Sequence, residues 1–357
     1  MADAPTTAGP SSCATPGAMT TDTSASRPPF RFGVMYDCRR HPDSPMSMTD
    51  VYAATIEQSV LADQLGFDHI WFTEHHFLAD GYLPAFQPLA GAIAARTSRV
   101  RLSNDIALLP LYHPIRLAEE LAVLDHISNG RIDFGIGMGY VPDEFAAFGV
   151  PLKNRVSMTE EAIEIMRLAW SDGPFSFHGR RYRVDDVEVH PKPVQAGGPP
   201  LWIAAMSEAG ARRAARYGTH LLPQGPRTQV LDPWRAAVSA AGGDPDTYRV
   251  GIIRSVFVTD DKERDWPMLR TAERYRMSIY NRFMAETPDH YEWGDPSAIP
   301  QTVIVGTAEE CVAELRTFID TFGITDLATS GLPPGVDPAV MAGNLERLAS
   351  DVIPHLR

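Results

Sequence analysis

Residues 49–77 read TDVYAATIEQSVLADQLGFDHIWFTEHHF and contain a helix pattern followed at once by a strand pattern. Apolar side chains recur on one side of residues 49–65, which predicts an amphipathic helix; they are Tyr52, Ile56, Val60, Leu61 and Leu65. Gly66 provides a stop for this helix, and the apolar run at residues 69–72 predicts a short strand after it. With a first strand at residues 30–36, this stretch predicts a β–α–β unit.

The same alternation continues along the chain. Further strands are predicted near residues 100–109, 131–137, 201–205, 219–222, 249–258 and 325–328, with helices between them. Ser157 and Glu160 predict a capping box for a helix that reaches Trp170. Eight strands with interleaved helices favour an α/β fold, a single eight-stranded parallel β/α barrel of the TIM type with insertions, over an open doubly wound sheet. One insertion, near residues 175–184, is predicted to be a small hairpin.

The composition excludes several classes of protein. Lys and Arg total 32 against 45 Asp and Glu, a net charge of −13, and no basic run occurs, so no nucleic-acid partner is expected. The three cysteines lie far apart without a Cys-x-x-Cys pair, so neither a disulfide framework nor a metal site is expected, and a reducing cytoplasm fits best. No apolar stretch is long enough to cross a membrane, so we expect a soluble protein.

Two segments fall outside the barrel pattern. Residues 1–29 are rich in Ala, Thr, Ser and Pro and lack the apolar core of a signal peptide, so a disordered N-terminal tail is predicted before a barrel at residues 30–357. Residues 260–300 are too long for an ordinary connection. They carry the aromatic side chains of Tyr275, Tyr280, Phe283, Tyr291 and Trp293. A lid over an apolar substrate and an extra helix packed on the barrel side are both open interpretations.

The segment after the second strand contains the candidate catalytic residues. Glu74, His75 and His76 follow residues 69–72, so in a β/α barrel they lie at the C-terminal mouth, where active sites are built. Adjacent residues of an extended chain point to opposite faces, so only one of the two histidines is expected to face the pocket. A two-histidine metal site is therefore not expected. Histidine suits proton transfer near neutral pH, although a purely structural hydrogen bond remains the alternative.

Two more strand ends suggest ligand contacts. Gly135, Gly137 and Gly139 alternate before Tyr140, and this spacing would let a flat ligand approach the backbone. It is not a dinucleotide fingerprint, because the spacing is wrong and the next residues do not continue a helix. Ala205 and Met206 then precede Ser207, which is expected to begin a helix whose free N–H groups favour a phosphate. Capping alone would also explain Ser207.

Arg155 precedes another predicted helix. Its guanidinium could add hydrogen-bond donors to the same phosphate, and a solvated surface arginine is the alternative.

The order of these residues resembles that of the bacterial luciferase-like monooxygenases. The similar runs are Glu74-His75-His76-Phe77, Leu109-Pro110, His113-Pro114-Ile115-Arg116, Glu119-Glu120, Leu124-Asp125, Ser128-Asn129-Gly130-Arg131 and Phe134-Gly135-Ile136-Gly137. The C-terminal runs are Val305-Gly306-Thr307-Ala308-Glu309-Glu310-Cys311, Phe322-Gly323-Ile324 and Asp351-Val352-Ile353-Pro354. The resemblance covers residue 30 to the C-terminus apart from the insertion near residues 260–300.

The resemblance implies a flavin-dependent monooxygenase. Such an enzyme takes reduced FMN from a separate flavin reductase and uses dioxygen, through a flavin hydroperoxide, to oxygenate a small organic substrate. Aromatic residues in the insertion suggest that the substrate is apolar or aromatic. The relatives are usually homodimers, so a homodimer is expected here.

Site residues carry over from the resemblance by position. His75 matches a histidine important for catalysis, and His76 is its neighbour. Arg155 and Ser207 match phosphate-binding positions, with Ala205 and Met206 beside Ser207. Asp105 and Ile106 lie where the family often has a non-proline cis peptide bond under the flavin ring, and Gly137, Gly139 and Tyr140 are expected near the cofactor.

Two positions depart from the light-emitting members of the family. Gly137 stands in place of a reactive cysteine and Met138 in place of a phosphate-binding arginine, so light emission is not expected. Two alternatives stay open. One is a deazaflavin-dependent oxidoreductase that transfers hydride without oxygen, and the other is a non-catalytic flavin-binding protein with the same barrel.

Overall fold

The computed structural model describes residues 27–224, 228–283 and 303–357. The strands are β1 (Arg31–Tyr36), β2 (His69–Phe72), β3 (Arg101–Asn104), β4 (Ala107–Leu108), β5 (Phe134–Gly137), β6 (Phe175–His178), β7 (Arg183–Val187), β8 (Leu201–Ala205), β9 (His220–Pro223), β10 (Gly251–Ile253), β11 (Ser255–Val258), β12 (Val303–Gly306) and β13 (Asp326–Ser330). The helices are α1 (Met48–Leu65), α2 (Phe86–Ala94), α3 (Pro114–Ser128), α4 (Pro142–Ala147), α5 (Arg155–Trp170), α6 (Glu208–Arg216), α7 (Thr228–Ala240), α8 (Lys262–Phe283), α9 (Ala308–Phe322) and α10 (Pro338–Arg347).

The strands form a curled parallel sheet. One part has the order β10-β13-β1-β2-β3 and another the order β4-β5-β8-β9. Single parallel bridges, Leu102 to Ile132 and Leu221 to Val250, join the two parts at both ends. The helices between the strands make this an α/β barrel of the TIM type, as the sequence predicts. An antiparallel hairpin, β6–β7, lies between α5 and β8, and β11 pairs with β12.

Apolar side chains fill the inside of the curled sheet. Met35, Trp71, Trp202, Leu222 and Ala328 come from five different strands and form one buried cluster. Side chains from strands this far apart in the sheet meet only in its interior, so the barrel is packed below its mouth. A larger cluster lies between the outer face of the sheet and the surrounding helices.

The ends of several helices follow local sequence signals. Ser47 and Asp50 form a capping box for α1, and Gly66 ends that helix in the left-handed conformation. Thr307 and Glu310 form the same box for α9. Short side chains next to the first turn satisfy backbone N–H groups that have no partner within the helix.

Some predicted boundaries were wrong. The helix assigned to a Ser157 cap begins two residues earlier, at Arg155, and Asn154 precedes it without a side-chain cap. Ser157 instead donates its hydroxyl hydrogen to the Asn154 carbonyl at 3.1 Å. The strand predicted at residues 100–109 is divided into β3 and β4, and the strand predicted at residues 249–258 is divided into β10 and β11.

Two predicted segments lie wholly or partly outside the described residues. The tail at residues 1–29 falls mostly in the undescribed residues 1–26. The insertion near residues 260–300 contains α8, whereas residues 284–302 are not described. No helix in the described ranges has the length and apolar character needed to cross a membrane.

Candidate active site

The candidate site lies where β2 and its neighbours end. Parallel strands present their carboxyl ends at one face of a barrel, so residues that follow β2, β3, β5 and β8 converge there. Glu74, His75 and His76 directly follow β2. The His75 backbone N–H donates to the Leu83 carbonyl at 3.3 Å, which ties this segment to the chain that leads into α2.

His75 is held by a carboxylate. Its Nδ1 lies 2.9 Å from Oε1 of Glu144, and Glu144 is buried in α4 with 1% of its surface exposed. The same Oε1 accepts the His76 backbone N–H at 2.8 Å. An ionised Glu144 fixes the proton of neutral His75 on Nδ1, which leaves Nε2 as the acceptor.

Glu144 was not predicted as a site residue from the sequence. Residues 141–143 were expected not to continue a helix, but Pro142 occupies the first turn of α4 and is well suited to begin a helix there. A proline followed by two acidic residues is a helix-start signal that could have shown where Glu144 lies.

Aromatic side chains surround the His75 ring. The ring centroids of Tyr82 and Phe283 lie 5.0 and 4.9 Å from that of His75, and those of Tyr140 and Tyr280 both lie 5.9 Å away. The Tyr82 and Tyr280 hydroxyl oxygens are 2.7 Å apart, and burial raises the pKa of both phenols. Tyr280 and Phe283 belong to α8, so the insertion contributes two of the rings around His75.

A buried arginine, Arg39, attaches α8 to the barrel. Arg39, just after β1, pairs through Nε with Oδ2 of Asp80 at 2.7 Å and donates from Nη1 to the carbonyl of Arg276 at 2.7 Å. Arg276 is itself paired with Glu273 at 2.8 Å. All four side chains are buried or nearly so. These bonds hold the end of α8 that carries Tyr280 and Phe283 against the mouth.

His76 faces away from His75, as the extended backbone predicts. Its Nε2 lies 3.0 Å from Oε1 of Glu74, and Tyr112 donates its hydroxyl hydrogen to the other Glu74 oxygen at 2.7 Å. Burial raises the pKa of Glu74, and the bonds from His76 and Tyr112 oppose that rise. His76 also lines a groove of about 780 Å³ beside α2 and α3. It therefore serves a different surface from His75.

Asp105 and Ile106 form a non-proline cis peptide bond between β3 and β4, at the position implied by the resemblance. The Asp105 N–H donates to the Phe72 carbonyl at 2.7 Å. The Asp105 carboxyl accepts from Nε2 of Gln224, with N–O distances of 3.2 and 3.4 Å to its two oxygens. Burial raises its pKa to about 7, and the bond from Gln224 opposes that rise. Gln224 was another residue that the sequence did not reveal.

Protein packing accounts for the glycines in and just after β5. A Cβ at Gly137 would overlap the Ile106 side chain, and a Cβ at Gly135 would overlap the Asn104 carbonyl oxygen. Gly139 has a positive φ of 70°, and a Cβ there would lie 2.7 Å from the Phe145 ring. Close packing against Asn104, Ile106 and Phe145, with the positive φ at Gly139, is enough to require these residues without a ligand. Tyr140 follows them directly and contacts His75.

The predicted phosphate-binding residues lie at two helix starts. Ser207 accepts from the Gly210 N–H at 3.4 Å and caps α6, after exposed Met206 and buried Ala205. Arg155 is the first residue of α5, and its Nη1 donates to the Leu152 carbonyl at 3.2 Å.

A salt bridge between α5 and α6 shows that the two helices lie side by side. Arg213 of α6 lies 3.0 Å from Glu160 of α5, six and five residues beyond Ser207 and Arg155. Helices that follow parallel strands run in the same direction, so at 1.5 Å per residue both starts lie at the same end of this pair.

The comparisons with known proteins agree with this architecture. The model of the family described as luciferase-like monooxygenase matches residues 30–325. The chain is similar to 4-hydroxyprotoasukamycin monooxygenase of Streptomyces nodosus subsp. asukaensis, with 27% identity over 84% of this chain and 85% of that one. It is also similar to the oxygenase component of flavin-dependent trigonelline monooxygenase of Acinetobacter baylyi, with 24% identity over 91% and 95% of the two chains.

The fold of a solved relative is also shared. The crystal structure of monooxygenase RslO1 from Streptomyces bottropensis superposes with a TM-score of 0.80 and 27% identity, over 92% of this chain and all of that one. The chain therefore belongs to the luciferase-like monooxygenase family and is an oxidoreductase. An F420-dependent glucose-6-phosphate dehydrogenase of Amycolatopsis mediterranei is also similar, with 26% identity over 85% and 94% of the two chains.

Proposed function

We propose that this protein is a monooxygenase that uses reduced FMN and dioxygen to oxygenate a small apolar or aromatic substrate. The observation that carries the proposal is the His75–Glu144 pair, fixed at 2.9 Å at the barrel mouth and surrounded by four aromatic rings. A histidine in this setting combines a defined proton acceptor with an apolar surrounding that limits access of water.

The residues present fit a flavin mononucleotide. Two helix starts and the Arg155 guanidinium supply N–H donors and positive charge for a terminal phosphate. Asp105 and Gln224 provide a polar contact in the mouth, beside the apolar Ile106 side chain. When bound, reduced FMN supplies the electrons that activate dioxygen.

His75 is the proposed proton-transfer group. Glu144 accepts the Nδ1 hydrogen, so Nε2 is free of that partner and can take a proton from, or return one to, the reacting oxygen atoms. Glu144 also carries negative charge 2.9 Å from the ring, which stabilises the imidazolium form after proton uptake. His76 is a structural neighbour in this proposal.

The aromatic walls favour a flat or apolar substrate. Tyr82, Tyr140, Tyr280 and Phe283 present ring faces and edges around His75, and such surfaces bind aromatic rings in offset or edge-to-face geometry. The Tyr82–Tyr280 hydroxyl pair adds a polar contact for a carbonyl or hydroxyl group. We therefore propose an aromatic substrate that bears an oxygen function.

The partner protein, the number of subunits and the closure of the barrel are also proposed. The similar trigonelline monooxygenase is named as an oxygenase component, which supports a separate flavin reductase as partner. A homodimer, a cytoplasmic location, an eight-stranded closure of the barrel and residues 30–357 as one domain are proposed with it. The Leu102–Ile132 and Leu221–Val250 bridges support closure, and sedimentation or light scattering measures the number of subunits.

Oxygen incorporation tests the proposed reaction. The protein is mixed with reduced FMN and a panel of phenols and aromatic ketones under isotopically labelled dioxygen, and the products are analysed by mass spectrometry. One labelled oxygen atom in a product is expected with the wild-type protein and not with free reduced FMN alone. A His75→Gln variant that still binds FMN but oxygenates at the wild-type rate would contradict the role of His75.

A deazaflavin-dependent hydride transfer is the second candidate function. The similarity to an F420-dependent dehydrogenase favours including it. Fluorescence titration with FMN and with F420 at equal concentrations separates the two, because the proposed enzyme binds FMN more tightly. Tighter F420 binding together with F420 reduction by an alcohol would replace the monooxygenase proposal. A non-catalytic flavin-binding protein would bind FMN but give no labelled product.

A further inference from the structure

The Asp105 carboxyl points into the barrel mouth. Asp105 lies between β3 and β4, separated from β4 by Ile106 alone, and Gln224 directly follows β9. β5 and β8 lie between β4 and β9 in the sheet. The two side chains nevertheless meet, at 3.2 Å. Side chains on strands with two others between them would be separated by helices on the outer face, so this contact has to cross the interior of the curled sheet.

This carboxyl has fewer hydrogen bonds than its chemistry requires. Only 7% of Asp105 is exposed. A carboxylate offers about four lone-pair sites. In the part of the chain that the structure describes, Nε2 of Gln224 is the single side-chain donor within hydrogen-bond distance of both oxygens. A buried polar group left short of partners costs free energy, so the carboxyl keeps acceptor capacity for a donor from a bound molecule.

Gln224 gives the carboxyl a fixed position. The Gln224 backbone N–H donates to the Ala205 carbonyl at 2.8 Å, so its side chain is anchored next to the turn that leads to Ser207. Gln224 therefore connects the Asp105 carboxyl in the mouth with the segment before Ser207, which is proposed to hold a phosphate. The raised pKa of Asp105, about 7, means that both its ionised and its protonated form occur near neutral pH.

We propose that the Asp105 carboxyl, positioned by Gln224, forms a hydrogen bond with an N–H group of the isoalloxazine ring of the bound flavin. The inference rests on the proposed function, because it names the flavin as the ligand. It assigns Asp105 a contact with the ring through its side chain, and assigns Gln224 the role of a positioning residue. A flavin ring carries an N–H group at its pyrimidine edge and oxygen and nitrogen acceptors beside it, which matches a carboxyl that can accept or donate.

A ligand-truncation experiment tests this contact. FMN and riboflavin share the ring, and only FMN has the phosphate. Dissociation constants of both oxidised ligands are measured by fluorescence quenching for the full-length wild-type protein, Asp105→Leu, Asp105→Asn, Gln224→Leu and Arg155→Met. Asp43→Leu is the matched control, since the Asp43 side chain is 92% exposed. Circular dichroism and thermal unfolding establish that each variant is folded.

The expected pattern separates ring from phosphate. Asp105→Leu should raise the dissociation constants of FMN and riboflavin by the same factor, roughly tenfold or more. Loss of one hydrogen bond to a charged group predicts an effect of this size. Gln224→Leu should raise both dissociation constants by a smaller common factor. Asp105→Asn should have a similarly small effect, because an amide retains an acceptor. Arg155→Met should weaken the binding of FMN and leave the binding of riboflavin unchanged. Asp43→Leu changes neither.

Other outcomes overturn the inference in distinguishable ways. If the wild-type protein binds both ligands and Asp105→Leu binds them with wild-type affinity, the ring contact does not exist and the proposed function stands. If Asp105→Leu does not fold, unchanged affinities in Gln224→Leu and Asp105→Asn have the same meaning. If the wild-type protein binds neither FMN nor riboflavin, the proposed function fails, and the Asp105 assignment fails with it.

Discussion

Oε1 of Glu144 lies 2.9 Å from Nδ1 of His75, and the same oxygen accepts the backbone N–H of His76. One carboxylate oxygen on a six-residue helix thus fixes both the ring of one histidine and the backbone that leads away from it. The orientation of His75 depends on α4, which begins at Pro142, whereas β2 ends at Phe72.

Replacing Glu144 with glutamine is expected to lower turnover while sparing cofactor binding. An amide carries no negative charge to stabilise the imidazolium, and it can turn an N–H instead of its oxygen toward Nδ1, which would move the ring proton to Nε2. The rate of substrate oxygenation should therefore fall by about 10²-fold or more. The FMN dissociation constant should stay within a factor of about two, since Glu144 is not among the proposed flavin contacts.

A double-mutant cycle gives the control. If Glu144 acts through His75, the His75→Gln, Glu144→Gln double variant should be no slower than His75→Gln alone. Independent, multiplicative losses would show that Glu144 does not work through His75.

Removing the ionisable group at Asp105 should change how stability depends on pH. The pKa of Asp105 is raised to about 7 in the folded protein, above its value of about 4 in an unfolded chain. The folded state therefore binds this proton more tightly, and its contribution to stability is complete below about pH 4 and is lost as pH rises through about 7. Asp105→Asn should lack this loss.

Urea unfolding at several pH values measures the difference between the two proteins. Relative to wild type, Asp105→Asn should gain stability between pH 4 and pH 7, by about 1.4 kcal/mol for each unit of pKa difference. Parallel curves for the two proteins over this range would show that Asp105 keeps an ordinary pKa.

Adding a methyl group at Gly137 should destabilise the barrel. The new Cβ would overlap the Ile106 side chain, and overpacking of this kind costs about 1–3 kcal/mol. Gly343 offers a matched control, because it lies within α10 and a Cβ there meets no atom within 4 Å.

Thermal unfolding compares the two variants. Gly343→Ala should be stabilising by about 0.5–1 kcal/mol, since alanine has the higher helix propensity. Equal effects of the two substitutions would show that the Ile106 contact does not restrict residue 137.

Replacing Arg39 should release α8 from the mouth. Arg39→Met leaves the mostly buried Asp80 carboxylate without its partner and removes the bond to the Arg276 carbonyl, so a loss of about 3–5 kcal/mol is expected. Hydrogen exchange of the α8 amides near Tyr280 should become faster than in wild type. Arg116→Met removes an exposed pair with Glu120 and should change stability by less than about 1 kcal/mol.

The sequence allowed the prediction of features that depend on local periodicity. Alternating strands and helices predicted the barrel type, and the two-residue period of an extended chain predicted the opposite directions of His75 and His76. Contacts between distant segments could not be obtained in this way. Glu144 and Gln224 reach the site only after the sheet curls, and a single sequence carries no signal for such pairings.

Local signals also competed with one another. Ser157 and Glu160 have the spacing of a capping box, but Glu160 instead pairs with Arg213 of the next helix at 3.0 Å, and α5 begins earlier. The glycines in and just after β5 suggested space for a ligand, whereas the side chains of Ile106 and Phe145 take up that space at Gly137 and Gly139. In both cases a tertiary neighbour determined the role of the residue.

The attachment of α8 determines the order in which parts of the site can form during synthesis of the chain. Tyr82 and Tyr280 are separated by 198 positions, and Arg39 and Arg276 by 237. A ribosome-bound chain that ends before α8 can contain His75 and Glu144, yet it lacks the Tyr280 and Phe283 rings that contact His75. The His75–Glu144 pair is therefore synthesised before the residues that enclose it, and the full set of rings around His75 is complete only when the last third of the chain has folded back onto the first.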